Sequence, residues 1–183
     1  MKPFSASLFS LAAAAVLILA PVADSQSVSG KDVLTPTAYA AFDPVARGMD
    51  LNVAVILKIK PGFHINARKV TAEYLIPTDL RLDVPAGFKL TNVIYPEGTL
   101  QTFAFSKNTQ LNVYTDSVAI RLPFLVLANA PLGPQHIPMK LRYQACSTEI
   151  CLPPVTKDVD LTVNVVANRS GVKAANPEVF SRK

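Results

Sequence analysis

The sequence has 183 residues, half of them apolar and 17% charged, enough for one domain with a substantial core and too little for two large ones. Its net charge of +5 is spread along the chain, with a mild excess at the end (Arg169, Lys173, Arg182 and Lys183 against Glu178), and no basic block is interleaved with aromatics. A nucleic-acid partner is therefore not expected.

The chain begins with an address rather than a fold. Lys2 supplies a thin positive start, and residues 8–20 form an apolar run broken only by Ser10. About a dozen residues is short for a bilayer span of roughly 20 and suits the apolar region of a signal peptide. Ala23 and Ser25 put small residues where a signal peptidase reads. Residues 1–25 are accordingly expected to be removed on export, which leaves a chain with no stable membrane insertion; the alternative is an uncleaved N-terminal anchor. Residues 26–45 mix Ser, Gly, Thr, Pro and Ala without a period and are expected to form a linker or extended lead-in.

From residue 46 to residue 166 the apolar residues recur at every second position. Leu51, Val53, Val55, Leu57 and Ile59 mark one strand face, and Val118, Ile120, Leu122, Phe124 and Val126 another. Ile137, Met139, Leu141 and Tyr143 alternate with Pro138, Lys140, Arg142 and Gln144, and Val159, Leu161, Val163 and Val165 with Asp160, Thr162 and Asn164. Weaker alternation runs through residues 80–82 and 88–95. Period two repeated this often means half-buried antiparallel strands. Six of the fifteen prolines (Pro61, Pro77, Pro85, Pro96, Pro131 and Pro134) are expected to punctuate the runs. No amphipathic helix is evident. Some seven to nine short strands predict an all-β, two-sheet antiparallel sandwich of immunoglobulin type, followed by an irregular tail over residues 167–183.

Cys146 and Cys151 are the only cysteines. Outside the cytosol an even pair forms a bridge, here across only Ser147, Thr148, Glu149 and Ile150, where two strands reverse direction. So short a loop gains only about 2 kcal/mol from closure in the chain-entropy account. A bridge made for stability would more usefully join the two sheets beside a buried Trp, and the chain has no Trp. A reducible bridge and a static staple both remain open on spacing alone. The two thiolates with His64 and His136 lack the paired spacing of a metal site, so no metal is expected.

The run YQACSTEICLPP, residues 143–154, resembles the signature of the N-terminal periplasmic domain of the thiol:disulfide interchange protein DsbD. Tyr143, Gln144, Ala145 and Cys146 match its first half, and Cys151, Leu152, Pro153 and Pro154 its second. PGFHIN, residues 61–66, is similar to a second element of that family. The resemblance covers about residues 42–166 and implies an immunoglobulin-like domain. Such a domain relays electrons in the periplasm with thioredoxin-like partners, as a monomer without a cofactor, rather than an enzyme acting on a small molecule. It further implies that Cys151 is the exchange residue and Cys146 the resolving one, beneath a cap loop. The rival reading is an immunoglobulin-like binding or assembly module with a static disulfide.

Three features depart from the family. The spacer between the cysteines is one residue shorter than in its best-known members. The membrane and thioredoxin-like domains of the full transporter are not in this sequence, so electrons are expected from a separate protein. The cap region, residues 98–116, offers Phe103 and Phe105 in place of an acidic pair. Those two aromatics either shield the disulfide or form part of a strand core. Tyr143 lies on the apolar face of its strand, so packing is expected to weigh more than shielding. A structural hydrogen bond is expected of His64. Glu149 either raises a neighbouring thiol's pKa or stands solvated at the loop tip.

Overall fold

A computed structural model describes residues 28–107 and 109–181; the apolar start and its cleavage site lie outside them. In chain order a one-turn helix, α1 (Gly30–Val33), leads into β1 (Leu34–Ala40), β2 (Val45–Ala46), β3 (Asp50–Ile59) and β4 (His64–Asn66). Then come β5 (Asp79–Leu82), β6 (Phe88–Leu90), β7 (Thr99–Thr102), a 3-10 turn (Ala104–Ser106) and β8 (Gln110–Tyr114). The chain continues through β9 (Ser117–Val126), β10 (Gly133–Tyr143), β11 (Ala145–Cys146) and β12 (Val155–Val166), and ends in a 3-10 turn (Arg169–Gly171) and a short helix, α2 (Pro177–Phe180).

The strands form three sheets. One has the order β1-β3-β9-β6 and a second β2-β12-β10-β5, both antiparallel except where β2 runs parallel to β12. These two are the layers of an immunoglobulin-like sandwich. Alternation decides which side chains go inside. Val53, Val55 and Leu57 of β3 and Ile120 and Leu122 of β9 meet Ile137, Leu141 and Val163 from the other layer in one core. Lys140, Arg142, Asp158 and Asp160 stay outside. Each aliphatic side chain so buried contributes about 1.5–3 kcal/mol, so the core outweighs any single cross-link.

The third sheet, β11-β4-β8-β7, is small and holds the cysteines. It was not expected, because a two-sheet sandwich accounts for every strongly alternating run. It arises where the chain bends at Gln144: β10 ends on Tyr143 beside β12, and the next two residues pair with β4 instead. The Cys146 arm therefore leaves the main sandwich and joins a separate platform.

Three expectations need correction. Residues 34–40, expected within a linker or extended lead-in, are extended but not free: they form a strand on the edge of the first sheet, paired with β3 over its whole length. Pro36 and the small Ala38 and Ala40 hid its alternation. The C-terminal tail, expected to be irregular, is anchored through residue 176: Phe42 bridges Ala174, and the Asn176 side-chain amide donates to the Ala40 carbonyl at 3.0 Å. Pro134 does not separate strands but sits second in β10, near the strand start where a missing donor is tolerated.

Candidate functional site

Cys146 and Cys151 are joined, with an S–S distance of 2.06 Å and Cα atoms 3.9 Å apart. The bridge closes a small hairpin. The Leu152 amide donates to the Ala145 carbonyl at 2.8 Å, and the Ser147 amide to the Ile150 carbonyl at 2.8 Å. The two cysteines are thus the intervening pair that exchanges no backbone hydrogen bonds, the type in which side chains stand closest. At the tip, the Ser147 hydroxyl accepts from the Glu149 and Ile150 amides, both at 3.2 Å. Glu149 is solvent-exposed, as the second of its two expected roles required.

The two sulfurs have unequal surroundings. Cys146 is fully buried, held between the hairpin and β4, whereas Cys151 is half-buried. Ile150 beside it is 60% exposed, an apolar side chain presented to solvent next to the more open sulfur. Pro153 and Pro154 are exposed at the exit. Their fixed dihedrals stiffen that arm, and α1 packs behind it: a Cβ on Gly30 would meet the Pro153 carbonyl oxygen at 3.2 Å.

Tyr143 and Gln144 fasten the strand just before the bridge. Tyr143 is fully buried, and its hydroxyl donates to the Gly30 carbonyl at 2.9 Å. Burial pushes its phenol up to about 12. This places Tyr143 in the sandwich core, in the packing role that its strand position implied. Gln144 works toward the small sheet. Its carbonyl oxygen accepts from the Asn66 side chain at 3.1 Å and from the Ile76 amide at 3.2 Å, and its amide donates to the Leu152 carbonyl at 3.3 Å. One side chain thus links β4, the segment after it and the Cys151 arm. Sequence reading offered Gln144 only as part of a motif.

His64 is the nearest titratable residue by register: it is the direct partner of Cys146 across β4 and β11. The ring is 3% exposed and stacks on Phe103 with centroids 3.9 Å apart and planes 12° apart. Phe105 stacks on Phe103 at 5.6 Å. Phe103 and Phe105 are not strand residues. Phe103 caps the 3-10 turn and Phe105 lies within it, and with Leu75, Leu111 and Val113 they form a second apolar cluster apart from the main core. They cover the imidazole opposite Cys146. Among the described residues no partner meets the buried His64 Nε2, where a structural hydrogen bond was expected, nor Asn66 Oδ1 two residues along the same face. Burial drops the His64 pKa to about 4, so the ring is neutral at neutral pH. Only the register between segments some eighty residues apart brings His64 to the cysteine, and no local signal carries that.

A shallow cleft of about 290 Å³ reaches the disulfide loop at Thr148 and is lined otherwise by Phe63, His64, Gln101, Phe103 and Asp116 among others. A larger groove of about 520 Å³ lies against Arg81, Lys140, Asp158 and Asp160 on the second sheet, away from the cysteines. His136, weighed with His64 as a metal ligand, is on β10 against Thr162 and Asp160. Among the described residues no group of three or more His, Cys, Asp or Glu is placed to hold a metal ion.

Comparison with known proteins adds a family. The profile described as "Thiol:disulfide interchange protein DsbD, N-terminal" matches residues 31–163. Among solved structures, the reduced DsbD N-terminal domain of Neisseria meningitidis aligns at 19% identity with a TM-score of 0.47, over 81% of this chain and 95% of that one. The N-terminal periplasmic domain of ScsB from Proteus mirabilis aligns at 13% identity with a TM-score of 0.50, over 75% of this chain and 49% of that one. The second likeness supports the fold alone, and this chain spans about half of that protein's length. No curated protein matches the sequence.

Proposed function

The chain belongs to the DsbD N-terminal domain family, and on that premise we propose that it relays electrons by opening and closing the Cys146–Cys151 bridge with thioredoxin-like proteins. The observation that carries this reading is the inequality of the sulfurs, with Cys151 only half-buried beside the exposed Ile150 and Cys146 enclosed. A bridge placed only to stabilise the fold has no use for one accessible sulfur.

The chemistry needs no cofactor. A partner thiolate attacks Cys151 Sγ in line, the bond between the two cysteines breaks, and its electron pair leaves on Cys146 Sγ. The partner's second thiolate then attacks the partner's own sulfur in the mixed disulfide. That releases Cys151, with the partner oxidised and this domain reduced by two electrons. Passing the electrons to an oxidised client runs the same steps in reverse. This domain supplies access and orientation. The site of action is the periplasm, reached through the apolar start at residues 8–20.

The test is equilibration of the pure domain against dithiol buffers, with the reduced fraction read by mass after alkylation. A relay bridge has a midpoint above about −300 mV, the level below which structural disulfides usually lie. A midpoint well below that level returns the domain to the static binding module.

A further inference from the structure

Of the described residues' buried polar side chains, His64, Asn66, Thr78 and Ser106, only the histidine carries a group that titrates near neutral pH when free in water. Directly opposed residues of an antiparallel pair rise from the same face of a sheet, so the His64 ring and the Cys146 sulfur share one side of the small platform. Phe103 closes the flank of that ring at 3.9 Å. A buried polar atom without a hydrogen bond is costly and uncommon, yet His64 Nε2 is one. The disulfide gives it little, since a bridged sulfur has no proton to donate and accepts weakly.

Reduction changes what stands opposite. When the S–S bond breaks, Cys146 Sγ receives the electron pair in a position that is 0% exposed. A thiolate there lacks water, and burial alone raises thiol pKa values and slows departure. We infer that His64 stabilises the released Cys146 sulfur, its ring partnering that atom in the reduced state and leaving it when the bridge closes. The balance is simple. The electrons come from the partner thiolate, whose own bond to Cys151 replaces the broken one, and one proton from solvent is shared between Cys146 and His64. The pair holds that proton as thiol and imidazole or as thiolate and imidazolium. Burial keeps the ring neutral in the disulfide form, with a pKa of about 4, so the proton is taken up only on reduction.

Few other groups compete for this role. β7 and the turn after it bring Gln101, Phe103 and Phe105, the end of β8 brings Thr115 and Asp116, and the disulfide loop brings Thr148 and the exposed Glu149. The shift on His64 comes from burial and not from these carboxylates. The only nearby polar atom with the same deficit is Asn66 Oδ1.

This inference rests on the reading that the bridge opens in function, but its test needs only chemical reduction. In the full domain with Cys151→Ala, the Cys146 thiol is titrated by NMR of cysteine labelled at Cβ, with and without His64→Phe, which keeps an aromatic ring against Phe103. With His64 present the thiol titrates at least about one pH unit lower, a tenfold difference in thiolate fraction. In the unsubstituted domain the His64 ring titrates higher in the dithiol than in the disulfide form, because coupling between two sites is reciprocal. That second measurement involves no substitution and holds if His64→Phe fails to fold. A Cys146 titration indifferent to His64, or a His64 titration indifferent to reduction, overturns the inference. Coupling without any exchange with thioredoxin-like proteins would leave it standing and remove the relay.

Discussion

Cys146 and Cys151 share one bond but not one environment: the first is sealed against β4 and the second is half-open beside Ile150. Under the proposed relay the more open sulfur is the one expected to exchange. A single-cysteine thioredoxin-like protein, activated as its thionitrobenzoate mixed disulfide, should react with Cys151 in the Cys146→Ala variant at least about tenfold faster than with Cys146 in Cys151→Ala. Thionitrobenzoate release gives the rates, and mass spectrometry identifies the adduct. Equal rates would refute the assignment.

The bridge spans a loop of four residues and, in the chain-entropy account, contributes about 2 kcal/mol. The sandwich core, with Leu51, Val55, Ile120, Leu122 and Leu141 all at 0% exposure, does not depend on it. Reduction should therefore leave far-ultraviolet circular dichroism unchanged, with a loss of about 2 kcal/mol in urea unfolding. Unfolding at room temperature on adding reductant would mark the bridge as a staple.

Much of this was readable beforehand, and the reason is periodicity. β3, β9, β10 and β12 were legible because their alternating side chains face a two-layer core, and the hairpin carrying the cysteines followed from them. β1 was not, since Pro36, Ala38 and Ala40 give no contrast between faces. The anchored tail was missed because its contacts are made largely by main-chain groups and one asparagine. Phe103 and Phe105 were half legible: their position in the chain suggested a cover, but only the fold shows that they cover His64.

Those two aromatics carry the next expectation. If they limit access to the site, replacing both with Ala should speed alkylation of the reduced domain by a small reagent, because access limits thiol reactions as thiolate fraction does. Tyr143→Phe, which removes only the hydroxyl bound to Gly30, should leave that rate unchanged and lower stability by about 1 kcal/mol. An unchanged rate in the Phe103/Phe105 variant, with its fold intact, would remove both residues from the site.

His64 also makes an acid-side prediction. Its pKa is about 4 in the fold against 6.5 for the free side chain, so between these values the unfolded chain binds more protons. Stability rises with pH in that window: the contribution is complete above about pH 6.5 and is lost as pH falls toward 4, by about 3 kcal/mol. The disulfide form of His64→Phe should lack this loss. Urea unfolding at pH 7, 5.5 and 4 for both proteins measures it, and parallel curves would show that His64 is not the group responsible.

Both arms of the disulfide loop are held, one by the β4 ladder at Cys146 and the other by Gln144 at Leu152, with Gly30 packed behind Pro153. Under the proposed relay a partner would meet a segment already set in shape and spend little ordering entropy on it, where each side chain it had to immobilise would cost about 0.5–1.5 kcal/mol. Docking can then rest on a small contact around Ile150 and still succeed.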